Sequence, residues 1–359
     1  MGRGRRSKKN RLYPTALFVF SLGALFSSAH SLAAECQEGQ NNKILRTYFT
    51  LSEAAGKPLN TDQFSNLMGM VSDIGLKGTA LSDSEGNRTN LFVQPVAMVD
   101  RNANGGGEFS ELKIGEYLFI INSEDRRKSD LVIGPRLIFN SSGRTTETAF
   151  FELTVSGESL HTVKKNLDIA RLNSALCLTQ HYGGWAFITY GANWSLEEKK
   201  LSKSQEDAAY IAIRKVGRWV EKTPSEMRLS FSSHRADNNQ QTRAKASYSS
   251  LFSHTSGFSV SYTKGLNNQS GFAFSSEKRL SLNFEIFKRI IDLNVSKKTS
   301  SGGTFLGVPL KERQFVVNLG IPINQNMNLI LSDYKIKNSF DQFNLSYSDI
   351  NLVWTPIKF

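Results

Sequence analysis

From residue 89 onward, apolar and polar side chains alternate with a period of two, the spacing that places one kind on each face of a β-strand. Leu91, Val93, Pro95, Ala97 and Val99 form one such face, with Gln94, Asp100, Asn102 and Asn104 on the other. The pattern sharpens later, where Leu280, Leu282, Phe284 and Ile286 alternate with Ser281, Asn283 and Glu285. Ile291, Leu293 and Val295, then Phe315, Val317, Leu319 and Ile321, then Met327, Leu329 and Leu331 repeat it. Other strand-like runs lie near 114–122, 131–140, 147–157, 173–181, 185–195 and 207–220. Polar clusters at Asn238–Gln240, Asn267–Gln269, Ser300–Gly303 and Asn324–Asn326 read as the turns between them.

Strands of about ten residues separated by turns predict an all-β fold, an antiparallel transmembrane β-barrel over 89–359. About 14 strands are expected, within a range of 12–16 and even in number. Asn283, Asn294, Asn318, Asn328, Asn344 and Asn351 then line the lumen as hydrogen-bonding groups. A soluble β-sandwich that binds polysaccharide or a protein partner generates the same alternation and stays open as an alternative.

Residues 35–88 follow a different period. Asn41 to Ala55 predicts a helix with Ile44, Leu45, Tyr48, Phe49 and Leu51 on a broad apolar face. Asn60-Thr61-Asp62 caps a second helix running to about Met70, with Phe64, Leu67 and Met68 on one side. Ser82 to Asn87 reads as a loop. The segment is too small to hold its own core, so it is expected as a plug or a periplasmic appendage.

The first 34 residues set the compartment. Six basic side chains precede an apolar stretch from Ala16 to Phe26, and small residues end at Ala33-Ala34, the layout of a secretory signal peptide. The chain carries 44 basic and 32 acidic residues, +12; without the leader's six it holds 38 against 32, or +6. That excess is dispersed, with no nucleic-acid motif, and no nucleic-acid partner is expected. Cys36 and Cys177 are the two cysteines, and an oxidising compartment permits one disulfide between them or leaves two thiols.

The chain ends Ile350-Asn351-Leu352-Val353-Trp354-Thr355-Pro356-Ile357-Lys358-Phe359, which resembles the final strand of Gram-negative outer-membrane proteins. The resemblance implies an outer-membrane location, contact with outer-membrane lipid and recognition of this strand by the barrel-assembly machinery. The apolar parity changes at Pro356, which implies a bulge or an early strand end. Residues Asn102-Ala103-Asn104-Gly105-Gly106 resemble an Asn-x-Asn-Gly-Gly element in the barrels of surface lipoprotein assembly modifiers. That family implies an assembly or export role, with an exported protein or polysaccharide as partner. Its helical-repeat domain has no counterpart in 35–88.

Chemistry-bearing motifs are few. Asp100 to Gly105 with Glu111 fits the written EF-hand pattern, but on a strand, with Gly107 where an aliphatic anchor belongs. A glycine-rich turn after the first strand is the competing reading. His254-Thr255-Ser256 resembles the His-x-Ser of outer-membrane lipid deacylases, which implies a barrel-embedded lipid hydrolase; a polar turn is the alternative. No histidine has zinc spacing, and neither cofactor nor metal is expected. Trp185, Trp194, Trp219 and Trp354 fit an interfacial girdle or an ordinary core. The leading expectation is a non-enzymatic barrel acting as a pore, an export channel or an assembly helper.

Overall fold

Among the described residues, two helices precede seventeen strands. Helix α1 spans Glu38–Ala54 and α2 Thr61–Asp73. Strand β1 is Arg88–Asp100, followed by a short hairpin, β2 Glu111–Ile114 and β3 Tyr117–Ile120. Then come β4 Asp130–Thr146, β5 Ala149–Thr162, β6 Asp168–His181, β7 Ala186–Lys199 and β8 Ser202–Val220. They are followed by β9 Thr223–Ala236, β10 Asn239–Leu251, β11 Gly257–Gly265, β12 Ala273–Ile286 and β13 Arg289–Phe305. The last are β14 Val308–Asn324, β15 Met327–Asn338, β16 Leu345–Trp354 and β17 Ile357–Lys358. This computed structural model describes residues 38–359 apart from 56, 58, 74–87, 106–110, 115–116, 121, 125, 127, 147, 221–222, 237–238, 267–272, 288, 306–307, 325, 340–343 and 359. The leader over 1–34, Cys36, the Ser82–Asn87 loop, Gly106 and Phe359 therefore lie outside the described residues.

Each strand from β4 to β16 pairs antiparallel with its neighbour in sequence, and β1 pairs with both β4 and β16. The sheet closes into a barrel of 14 staves, β17 prolonging the last of them. Closure leaves no open edge, so every stave has a ladder on both sides. The connections at the two ends differ. Those on the side of the helices include 221–222 and 325–326, while the other end carries the long 101–129 segment and the 266–272 and 339–344 loops.

Three expectations need correction. The run near 114–122 is no stave: it forms the β2–β3 hairpin within the first long connection. Its local alternation is strand-like, but only Glu111–Ile114 is there to pair with. Ser300–Gly303 is no turn either. It sits inside β13, where the register against β14 shifts between Ser301 and Thr304, so the glycines serve a bulge. The apolar residues Leu345 and Tyr347 differ in parity from Ile350, Leu352 and Trp354, so a shared face for all of them would be expected to need a bulge near Asp349; none is present, since β15 and β16 pair in unbroken register from Met327–Trp354 to Ile336–Leu345. Leu345 and Tyr347 turn inward, while Phe343 lies outside the described residues.

Helix α2 begins where the sequence caps it. The Gln63 amide donates to Asn60 Oδ1 at 2.8 Å and the Asn60 amide to Gln63 Oε1 at 3.1 Å, a reciprocal capping box. Neither helix is long and apolar enough to cross a membrane, so any crossing belongs to the strands.

Candidate functional site

The inside of the barrel is polar and the outside apolar, the reverse of a soluble protein. On β8 and β9 the exposed positions are Ile211, Ile213, Met227, Leu229 and Phe231, and the buried ones include Arg214, Glu226, Arg228, Ser230 and Ser232. Leu229 is 57% exposed and Arg214 0%. The same inversion runs round the ring, with Leu137, Leu176, Val260, Leu280 and Ile350 exposed and Gln94, Arg171, Thr189 and Asn193 buried. The lumen is therefore the place where polar chemistry gathers.

The mouth on the helix side is filled by α1. Ile44, Leu45 and Phe49 pack with Val71 of α2 against Phe187, Val216 and Leu251, which project inward from β7, β8 and β10. Tyr48 meets Trp185 edge-on with ring centroids 4.9 Å apart, and Phe49 meets the His254 ring at 4.8 Å. His254 Nε2 lies 2.8 Å from Glu53 Oε2, and Arg218 donates to the Ser52 carbonyl at 3.4 Å. Across the mouth, Arg46 interacts electrostatically with Asp292 of β13; burial brings its guanidinium down to about 10, and Asp292 opposes that shift. Trp185 is thus a plug contact and not part of a lipid-side girdle.

One inward row deeper, Arg214 and Glu226 lie 3.6 Å apart, both fully enclosed. None of the Arg214 side-chain nitrogens has a hydrogen-bond partner in the protein, nor has Glu226 Oε2. Asn193, Asn318 and Asn351 likewise carry side-chain atoms without a protein partner. Buried polar groups need partners, so this lining calls for water. Further along, Ser232 Oγ lies 3.0 Å from His234 Nε2, and His234 Nδ1 3.3 Å from Glu206 Oε1. The order is that of a hydrolytic triad. Ser232 is nevertheless paired in register with both Tyr210 and Arg243, so the local backbone is committed to ladders and offers no ready oxyanion hole.

At the far mouth the chain after β1 folds inward. Asn104 receives the Lys128 amide at 2.7 Å and donates Nδ2 to the Arg126 carbonyl, also 2.7 Å, while its own carbonyl takes the Leu201 amide at 2.8 Å. Gly105 has φ +70° and lies so close to β8 that a Cβ there would stand 2.1 Å from Ser202 Oγ. Beside it lies a buried lattice of charges. Arg171 reaches Glu197 at 2.5 Å, Asp100 at 3.1 Å and Glu158 at 3.4 Å. Lys199 binds Asp100 at 3.0 Å and the Asn102 carbonyl at 3.0 Å, and Arg136 pairs with Glu158. Asp100, first residue of the EF-hand pattern, is therefore spent on two cations, and no metal-type cluster occurs among the described residues. The Glu111 side chain is outside the described residues.

Of the predicted lining, Asn283, Asn294, Asn318, Asn328 and Asn351 fall on the inward parity of their strands by the ladder registers. Asn283 donates to Asp292. Asn344 is displaced: it precedes β16 and accepts the Asn338 amide at 2.7 Å, so it belongs to a connection. Asn102 and Asn104 hold the inward fold. Cys177 faces inward beside Tyr210 and is disulfide-bonded; the sequence's other cysteine is Cys36. His254 and Ser256 share no hydrogen bond, His254 being engaged by Glu53 and Phe49. Sequence reasoning missed the charged lattice and the Ser232–His234–Glu206 chain, although both sit at polar positions of the alternation.

No known protein family and no curated protein matches the sequence. Among solved structures, Acinetobacter baumannii OccAB1 is similar at a TM-score of 0.39 and 8% identity, covering 79% of this chain and 99% of that one. The outer membrane protein opdK from Pseudomonas aeruginosa has a TM-score of 0.39 and 12% identity, covering 77% and 99%. A BenF-like porin from Pseudomonas fluorescens has 0.39 and 10%, covering 77% and 99%. The stave count and closure rest on this chain's own ladders.

Proposed function

We propose that this chain is an outer-membrane channel for small polar solutes, held closed by its N-terminal helices. The observation that carries the reading is the inversion of burial: an apolar outer belt matches lipid, and a charged, hydrogen-bonding lumen matches water. Longer connections opposite the helices support a reading in which that end faces outside the cell and α1 the periplasmic mouth. Passage of a small solute fits this lumen better than export of a protein, because α1, the Arg171 lattice and the inward fold at Asn104 all occupy it. The assembly role implied by the Asn102–Gly106 resemblance would require those contents to leave. A Cys36–Cys177 bridge would tether the plug, since Cys36 lies two residues before the start of α1 in the sequence.

Single-channel recording in a planar bilayer tests this. Deleting 41–80 is expected to raise conductance severalfold while the barrel still inserts, and reducing the disulfide is expected to produce intermittent openings. Inserted protein whose conductance is the same with and without the helices would overturn the plug.

A further inference from the structure

The outward face of β11–β15 carries cations that no ion pair among the described residues neutralises. One row runs Tyr262, Lys278, Lys297, Phe315, Lys335 by direct cross-strand pairing, and the next row outward runs Lys264, Ser276, Thr299, Arg313, Lys337. Lys278 faces Lys297, and Arg313 faces Lys337. Like charges directly opposite destabilise a sheet, and here the conflict occurs twice within one patch. All six cations are exposed, and none has an ion-pair partner among the described residues. Asp333 lies one row nearer the barrel's middle and is held by the Ser348 hydroxyl at 2.8 Å.

Several outward polar groups elsewhere on the same rim are paired. Glu198 pairs with Lys203 at 3.5 Å, His161 with Asp168 at 2.9 Å, and Asp207 faces Arg235 across β8 and β9. The six unpaired cations of β11–β15 form one contiguous arc. Directly beneath it lies the apolar belt: Val260, Leu280, Val295 and Val317 share a row, and Phe258, Leu282, Leu293, Leu319 and Leu331 the next.

We infer that this arc is a binding site for a lipid with a phosphate-bearing headgroup in the outer leaflet. The phosphates sit between the Lys278–Lys297 and Arg313–Lys337 pairs, relieving both repulsions, and the acyl chains lie along the belt below. Lys and Arg snorkel towards headgroups from such positions, each making charge-assisted bonds to phosphate oxygens. Tyr262 and Phe315 flank the pairs at the depth where aromatic side chains favour the interface. The site rests on the membrane-barrel reading and adds a specific lipid to it.

The test is native mass spectrometry of the detergent-folded protein given lipid A with two phosphates, lipid A with one, or phosphatidylethanolamine. The wild type is expected to retain the two-phosphate form best and phosphatidylethanolamine least. A Lys278→Gln, Lys297→Gln, Arg313→Gln variant should lose that preference at least tenfold, whereas Lys203→Gln, on the far side of the rim, should keep it. The triple variant should also fold at least as well, since it removes repulsion. Folded protein that binds all three lipids equally, or a triple variant that binds like wild type, overturns the site and leaves the barrel standing. A chain that folds into no detergent micelle overturns both.

Discussion

Ile357 faces Val93 across the seam of the barrel, although Val353, four residues earlier, faces Val96, only three away. One extra residue is therefore absorbed between them, at Thr355-Pro356, where the Thr355 amide instead bonds the Asn326 carbonyl at 2.8 Å. The bulge reverses side-chain parity. Trp354 and Ile357 both reach the outer face, and the apolar series begun by Ile350 continues despite the break in the sequence pattern. Proline suits the place, because a bulge needs no amide there.

The seam makes a prediction. Deleting Pro356 removes the extra residue and leaves Ile357 outward, so the barrel should fold with wild-type yield. Deleting Trp354–Phe359 strips the partner from Phe92 and Val93 and should slow or abolish folding into detergent, read as the folded fraction over time.

The lipid face and the lumen should respond oppositely to charge. Leu319 faces outward, and the neighbouring Asn318 faces a lumen where its Oδ1 has no protein partner. Leu319→Arg should destabilise the barrel by about 2–4 kcal/mol, the cost of a cation near the middle of a bilayer, while Asn318→Lys should be tolerated. Urea titrations in lipid vesicles measure both; equal damage would mean a packed, dry interior.

The Arg171 lattice should be the most sensitive place in the wall. The side chain is 7% exposed and neutralises Asp100, Glu158 and Glu197 together. Removing it leaves three enclosed carboxylates to two cations, Lys199 for Asp100 and Glu197 and Arg136 for Glu158, so Arg171→Ala should cost roughly 3–5 kcal/mol in the same titration. Arg171→Lys should recover only part, because one ammonium cannot reach three carboxylates as the guanidinium fork does.

How far the sequence foretold this differs by feature. Period-two alternation marked the staves, and the spacing of Ile44, Leu45, Tyr48 and Phe49 marked α1 and its buried face, because both signals are local. The lattice was not legible. Arg171 meets Asp100 across 71 residues, and only the completed registers bring β1, β5, β6 and β7 to one depth. Of the asparagines expected as the lining, Asn344 lies in a connection, and Gln94, Arg136, Arg171 and Arg214 occupy inward positions that the sequence did not single out. Ser300–Gly303 misled because a bulge and a turn draw on the same residues.

Gly105 should govern the inward fold of the first long connection. Gly105→Ala meets both a left-handed backbone and Ser202, at a cost of about 1–2 kcal/mol for the backbone alone. The connection should detach while the staves persist. Protease cleavage between residues 101 and 129 of the detergent-folded variant should accelerate at least tenfold, with the remaining barrel protected.

The central claim is that this ring of strands crosses a membrane, and electrophoretic mobility with and without boiling tests it most directly. Closed barrels hold their ladders in detergent until heated. The purified chain, folded into detergent, should migrate as a compact band unboiled and at its full mass once heated. A protein that remains soluble and monomeric without detergent, and runs at one position before and after boiling, would contradict it.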